Sequence, residues 1–340
     1  MRPRTASSEF DLIAAFTRAL PLRGEGVVVG PGDDAAVLRP APGEDLVATV
    51  DAVVEGVHFG AGFTAEDVGW KALAVNLSDL AAMGARPLWA LVALTVPPGT
   101  RAARLRGVAA GVGACARAYH AAVVGGNVSR GRELSVTITA IGAVPEGRAV
   151  LRAGARPGDL VAVTGTLGDA ALGLLPGAPR ALALRQRRPA PRLAAGRALA
   201  GVVRAAVDVS DGLAQDLGHL CRASGVGALV GRADLPLSAA YRRLARRLPD
   251  PWAPALAGGE DYELVVAVPP AALARARAAA ARARTPLTVV GRFVRGEGVR
   301  VVGDRGEPVR VPPGHDHLLA HGGSAAPAGR RRLGRKGLRV

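Results

Sequence analysis

Residues 70–87 read WKALAVNLSDLAAMGARP, and the fold turns on how that stretch is taken. Leu73, Val75, Leu77 and Leu80 sit among alanines, with Gly84 and Pro87 closing the run, so the pattern predicts a helix over 66–84 buried on most of its sides. Next, LWALVALTV at 88–96 reads as a buried strand that stops at Pro97-Pro98. Inside the helix, Asn76 and Asp79 lie three apart and share a face with Ser78 between them. Polar side chains in so apolar a run must find partners, which marks this helix as more than packing.

Further out, Ser8 precedes a helical run in EFDLIAAFTRAL, and short strands are predicted at 26–30, 35–38 and 46–50. Thr100 reads as the cap of a second long helix ending near Tyr119, followed by strands at 121–124 and 134–143. The Pro/Gly-bearing segment PEGRAVLRAGARPG at 145–158 reads as a domain boundary. Beyond it, the strand LVAVTG opens a second half with helices at 168–175, 190–203, 211–222, 236–247 and 270–284. Strands at 226–230, 262–268 and 287–294 alternate with them. The expectation is a mixed α/β (α+β) protein of two domains, 1–150 and 151–320, with a basic, disordered tail over 321–340.

Composition narrows the class. Aromatics make up 3% of the chain against 49% hydrophobic residues, a core of small aliphatics. No apolar run reaches bilayer-spanning length, and acidic residues interrupt the start where a signal peptide would be apolar. Cys115 and Cys221 lack paired or metal-ligand spacing and read as buried thiols in a reducing compartment, so the expected address is the cytoplasm. The net charge of +16 is almost all arginine, and six of the positive charges fall at Arg330, Arg331, Arg332, Arg335, Lys336 and Arg339. No aromatic nucleic-acid strand, zinc-finger spacing or helix-turn-helix accompanies it, so nucleic-acid binding is not expected beyond weak, salt-sensitive attraction to the tail.

The chemistry lies in the acids. Gly32-Asp33-Asp34-Ala35 separates two strands, Asp51 follows LVATV, and Asp208, Ser210 and Asp211 form DVSDGL ahead of a helix. Glu260 and Asp261 follow two glycines in GGEDYEL, just before a strand. One such cluster alone is usually a turn or a cap, and Asp208–Asp211 could simply cap the helix after Gly212. Five of them beside glycines or element ends suit Mg²⁺, which takes carboxylates, waters and substrate phosphates. The Walker loop, the G-x-S-x-G elbow, the protein-kinase motifs and a strand-linked G-x-G-x-x-G are all absent.

The series GDDAAV (32–37), TVDAVVEGVHF (49–59), WKALAVNLSDLAAMGARP (70–87), GGNVSRG (125–131), DVSDGLAQDLGHL (208–220) and GGEDYEL (258–264) resembles the thiamine-monophosphate kinase family. That family shares a superfamily with aminoimidazole-ribonucleotide synthetase, selenophosphate synthetase and a hydrogenase-maturation ATPase. The resemblance runs from about Glu9 to about His317. It implies ATP-dependent phosphorylation of thiamine monophosphate assisted by several Mg²⁺ ions, in a homodimer whose N-terminal domains contribute strands to a barrel at the interface. It further implies Asp34, Asp51, Asp79 and Asp208 as magnesium ligands, with Thr49 and Asp211 as further metal contacts. Gly126, Asn127, Arg152 and Ser210 match ATP-side positions, and His58, Glu260 and His315 match the thiamine-phosphate side. Lys71, in WKAL, is assigned nothing beyond orienting nearby carboxylates or forming an ion pair.

The match departs in three places. Asn127 stands where the family often carries Asp, so its amide oxygen would serve a metal without charge. Val50 replaces a common hydroxyl residue, and His315 replaces the usual aromatic stacker. The other enzymes of the superfamily often carry a catalytic Cys or Lys, or a glycine-rich start; none occurs before Asp33, which favours the kinase branch over them.

Overall fold

The computed structural model describes residues 16–32, 34–312 and 314 of the 340. The Ser8 helix start, Asp33, His315 and the basic tail lie outside the described residues.

The segment read first forms the central helix, α1 (Ala65–Ala82). Thr64 caps it reciprocally with Asp67, each side chain accepting the other's backbone N–H, an arrangement that stabilises a helix start by about 1 kcal/mol. Leu73, Leu77 and Leu80 are fully buried, each contributing about 2 kcal/mol of transfer free energy. The helix is buried nearly all round because it lies between two sheets. On one side are β3 (Glu44–Val54) and β6 (Ser135–Pro145); on the other are strand β8 (Ala205–Asp208) and the helix Leu193–Leu199.

The first sheet has four strands in the order β3-β6-β4-β5, where β4 is Arg86–Val96 and β5 is Ala122–Arg130. Val92, Leu94, Val136 and Ile138 on its inner face join α1 and the helix Ala102–Ala118 in one core. Its outer face carries exposed apolar side chains: Val50 at 59%, Leu46 and Leu91. The sheet is open, with β3 and β5 at its edges.

The second sheet has seven strands spanning Leu160 to Val309, with β8 at one edge beside the strand Leu264–Val268. Along LVVAV, Leu264, Val266 and Val268 face the α1 core while Val265 and Ala267 face a second core under the helix Leu213–Ser224. A strand covered on both faces needs apolar residues at every position, and this one has them.

The mixed α/β class expected from the sequence is what the chain adopts. Thr100 does not cap the second helix. Its hydroxyl donates to the Pro97 carbonyl, and Arg101 occupies the N-cap position without a side-chain bond. The third strand is longer than expected, since its inner face alternates Asp45, Val47, Thr49, Asp51 and Val53 and so hides its ends from a hydrophobic pattern.

Candidate active site

Four acids and hydroxyls predicted from separate motifs come together where β3, α1 and β8 meet. Alternation along β3 sends Thr49 and Asp51 toward α1 and leaves Val50 on the outer face. The Thr49 hydroxyl donates to Asp79 Oδ2 at 2.6 Å. The Asp51 backbone N–H donates to Asn76 Oδ1 at 2.9 Å, and the Asn76 amide is itself fixed by donating to the Ala72 carbonyl. Ser78 donates to Asp208 Oδ2 at 2.7 Å, tying α1 to the end of β8. Asn76, Ser78 and Asp79 of the apolar helix therefore all serve this cluster.

Asp208 is only 3% exposed. Burial pushes its carboxyl well above the usual carboxylate range, and the adjacent Asp79 charge pushes it further. Burial likewise raises Asp79, against the Thr49 hydrogen bond and the Arg152 charge, which both pull it down. A buried and a half-buried acid repelling each other form a site short of positive charge. All the converging donors are oxygens, so they fit a hard divalent cation such as Mg²⁺ and offer nothing to a soft metal.

The loop after β8 is built differently from the capped-helix expectation. Gly212 takes the N-cap position of the helix Leu213–Ser224, and neither Asp208 nor Asp211 caps it. Instead Asp216 Oδ2 accepts the backbone N–H groups of Ser210, Asp211 and Gly212 at 3.0–3.1 Å. Burial lifts Asp216 to about 7 despite those three donors. Asp211 accepts from Gln215, and its carboxylate lies near Asp216 and His219. Asp216 was not singled out from sequence; its position four residues after the N-cap glycine, in an otherwise apolar turn, was the available signal.

The segment GGEDYEL makes a tight double reversal. Gly259 has φ +70°, and a Cβ there would stand 2.6 Å from the Ser210 carbonyl oxygen. Glu260 and Tyr262 hold φ of +59° and +51°, conformations that cost roughly 1–3 kcal/mol each for residues with side chains. Backbone bonds from Glu260 N–H to the Ser210 carbonyl and from Tyr262 N–H to the Val209 carbonyl lock the turn against the DVSDGL loop. Between them, buried Asp261 accepts from the Gly168 and Ala170 N–H groups. Glu260 is thereby delivered to the Lys71 ammonium, which also bonds the backbone carbonyl of His58, and the His58 Nδ1 accepts the Val54 N–H at 3.1 Å.

The remaining predicted residues fall elsewhere. Asp34, Gly126 and Asn127 line a cavity of about 730 Å³ against the outer side of the four-stranded sheet. Gly126 lies so close to β4 that a Cβ would stand 2.0 Å from the Val92 carbonyl oxygen. Through the register Ala52–Thr137–Ala93–Asn127, the Asn127 side chain shares a face with Ala52 and not with Asp51. It also sits on the opposite edge strand, three strand spacings or about 14 Å from β3. Arg152 lies in the exposed interdomain segment, its charge felt by Asp79 and Asp208.

Against this geometry, residues 32–144 match the N-terminal domain of AIR synthase related proteins, and residues 156–304 match the C-terminal domain of the same proteins. The chain is 40% identical to the thiamine-monophosphate kinase of Escherichia coli K12 over 328 residues, covering 92% of this chain and 99% of that one. The chain belongs to the thiamine-monophosphate kinase family. The thiamine-monophosphate kinase of Bacillus subtilis is 39% identical over 270 residues, covering 75% of this chain and 82% of that one. Among solved structures, the thiamine-monophosphate kinase of Stenotrophomonas maltophilia superimposes with a TM-score of 0.80 at 41% identity, covering 89% and 98% of the two chains. AaThiL complexed with AMPPCP and TMP superimposes with a TM-score of 0.74 at 34% identity, covering 94% and 99%. The hydrogenase maturation protein HypE of E. coli shares the fold at 23% identity and a TM-score of 0.73, covering 90% and 98%. The family and enzyme class expected from the motifs are those the comparisons give. No described helix is long and apolar enough to cross a membrane.

Proposed function

We propose that this chain phosphorylates thiamine monophosphate with ATP, giving thiamine diphosphate and ADP. The observation carrying the reading is that half-buried Asp79 of α1 and buried Asp208 of β8 are brought close enough to repel each other, one from each half of a chain 40% identical to a thiamine-monophosphate kinase.

In this reading Asp51, Asp79, Asp208 and Thr49 hold Mg²⁺, with Asp211 as a further contact and Asp34 and Asn127 as ligands on the outer side. Mg²⁺ there would neutralise the phosphates and align the attacking and leaving oxygens. Gly126, Asn127, Arg152 and Ser210 hold ATP, and His58, Glu260 and His315 hold the acceptor. An oxygen of the acceptor phosphate forms a bond to the γ-phosphorus as the bond to the β–γ bridging oxygen breaks, with ADP leaving. Transfer is direct and in line, since positioning and charge stabilisation supply the catalysis and no nucleophilic side chain is needed. Arg152 contributes a cation near Asp79 and Asp208, on the side where ATP phosphates would enter.

Residues 1–150 form the ATP/Mg and dimerisation unit in this account, 151–320 the second domain, and 321–340 the basic tail. The active form is a homodimer. Two features support it: the apolar outer face carrying Leu46, Val50 and Leu91, and the distance of Asn127 from Asp51 within one chain. Two buried, unpaired cysteines accord with a cytoplasmic setting.

The test supplies purified protein with ATP, Mg²⁺ and thiamine monophosphate, then oxidises the products to fluorescent thiochromes and separates them. Thiamine diphosphate whose formation stops with EDTA is the expected result. A folded, ATP-binding protein that makes no product would sink the acceptor assignment.

A further inference from the structure

Lys71 is fully buried, and its ammonium reaches into both halves of the molecule. It donates to the His58 carbonyl oxygen at 3.0 Å and pairs with Glu260 Oε1 at 2.6 Å. The Phe63 ring covers its remaining side at 5.4 Å from the centroid. Burial pulls its pKa down, and the Glu260 charge offsets that shift. Burying an ammonium is costly when aliphatic filler would pack as well, so a lysine here calls for a reason beyond volume.

The other oxygen of Glu260 has its own fixed partner. Gln186, 3% exposed, donates to Glu260 Oε2 at 2.9 Å. Gln186 sits on the helix Arg180–Arg187, which is pinned on both sides of that residue. Arg185 pairs with fully buried Glu263, and Arg187 lies over Phe63 at 5.9 Å.

We infer that Lys71 and Gln186 are positioning residues for the acceptor site: Lys71 locks His58 of the first half and Glu260 of the second at a fixed separation, and Gln186 fixes the carboxylate plane. This rests on the assignment of His58 and Glu260 to thiamine monophosphate made above. The Lys71–Glu260 pair is neutral overall, so the carboxylate acts as an aimed hydrogen-bond acceptor for an amino group of the acceptor rather than as a counter-charge to its cationic ring. The consequence is specificity: acceptor affinity depends on the network, and nucleotide affinity does not.

Steady-state kinetics with each substrate varied separately tests this. Lys71→Met should raise KM for thiamine monophosphate by about ten-fold or more while KM for ATP stays within about two-fold. In a double-mutant cycle, Lys71→Met/Glu260→Gln should lose clearly less than the product of the two single effects, because Lys71 acts in part through Glu260. Gln186→Leu keeps the inference testable if Lys71→Met does not fold, and should raise the acceptor KM about three-fold with ATP unaffected. Either folded variant with an unchanged acceptor KM, or single effects that simply multiply, would overturn the inference. A wild-type chain inactive on thiamine monophosphate would instead overturn the acceptor assignment, and this inference with it.

Discussion

The two faces of the four-stranded sheet carry acids and amides of the same expected function, yet they are organised in opposite ways. On the inner face every cluster member is braced: Asp79 by Thr49, Asp51 by Asn76, Asp208 by Ser78. On the outer face Asn127 is exposed, and among the described residues its side chain has no protein hydrogen-bond partner. Asp34 is likewise exposed, beside a large cavity. The inner group is preorganised by a single chain, at the cost of crowding the Asp79 and Asp208 carboxylates. Asn127 gains its order from whatever enters the cavity or covers the face.

That contrast is open to breaking. Asp79→Asn removes a charge from the braced cluster and should lower kcat/KM about a hundred-fold or more with the fold intact. Near-wild-type turnover would show that the crowded acids serve structure alone. Ser78→Ala leaves Asp208 in place but frees its carboxylate, and the expected loss in activity or metal affinity is about ten-fold. Asn127→Asp adds a charge to the outer face, and should change the Mg²⁺ concentration for half-maximal activity by only about two- to five-fold, toward lower values. A larger shift than that of Ser78→Ala would reverse the ranking of the two faces.

A smaller effect is expected from the turn that carries Glu260. Burial lifts Asp261 to about 8, against the two N–H groups that favour its charged form. Because that folded value lies above the ordinary one near about 4, the group's contribution to stability is lost as pH rises from about 4 through about 8. Asp261→Asn keeps an acceptor without an ionisation, so its melting temperature should fall less steeply over that window. Parallel profiles for variant and wild type would contradict it.

Sequence reading found the central helix because an apolar run closed by Gly84 and Pro87 leaves little else for the segment to be.

 

The acids of the cluster were legible one motif at a time, since each stands beside a glycine or an element end. Their bracing was not, because Ser78 and Asp208 are 130 positions apart in the chain and only the fold brings them together. Gln186 carried no signal: RALALRQR reads as an arginine-rich connection, and its helix forms because Arg185 finds buried Glu263. The left-handed turn at Glu260 and Tyr262 was equally hidden, since neither residue favours that conformation and tertiary bonds to Val209 and Ser210 impose it.

The central claim is that the inner cluster, drawn from both halves of one chain, is a divalent-cation site serving phosphoryl transfer. Calorimetric titration of Mg²⁺ into wild type, Asp79→Asn and Asp208→Asn, each saturated with a non-hydrolysable ATP analogue, tests it most directly. The account predicts metal binding in the wild type that is weakened in both variants while analogue binding without metal is retained. Unchanged Mg²⁺ binding in both folded variants would contradict it.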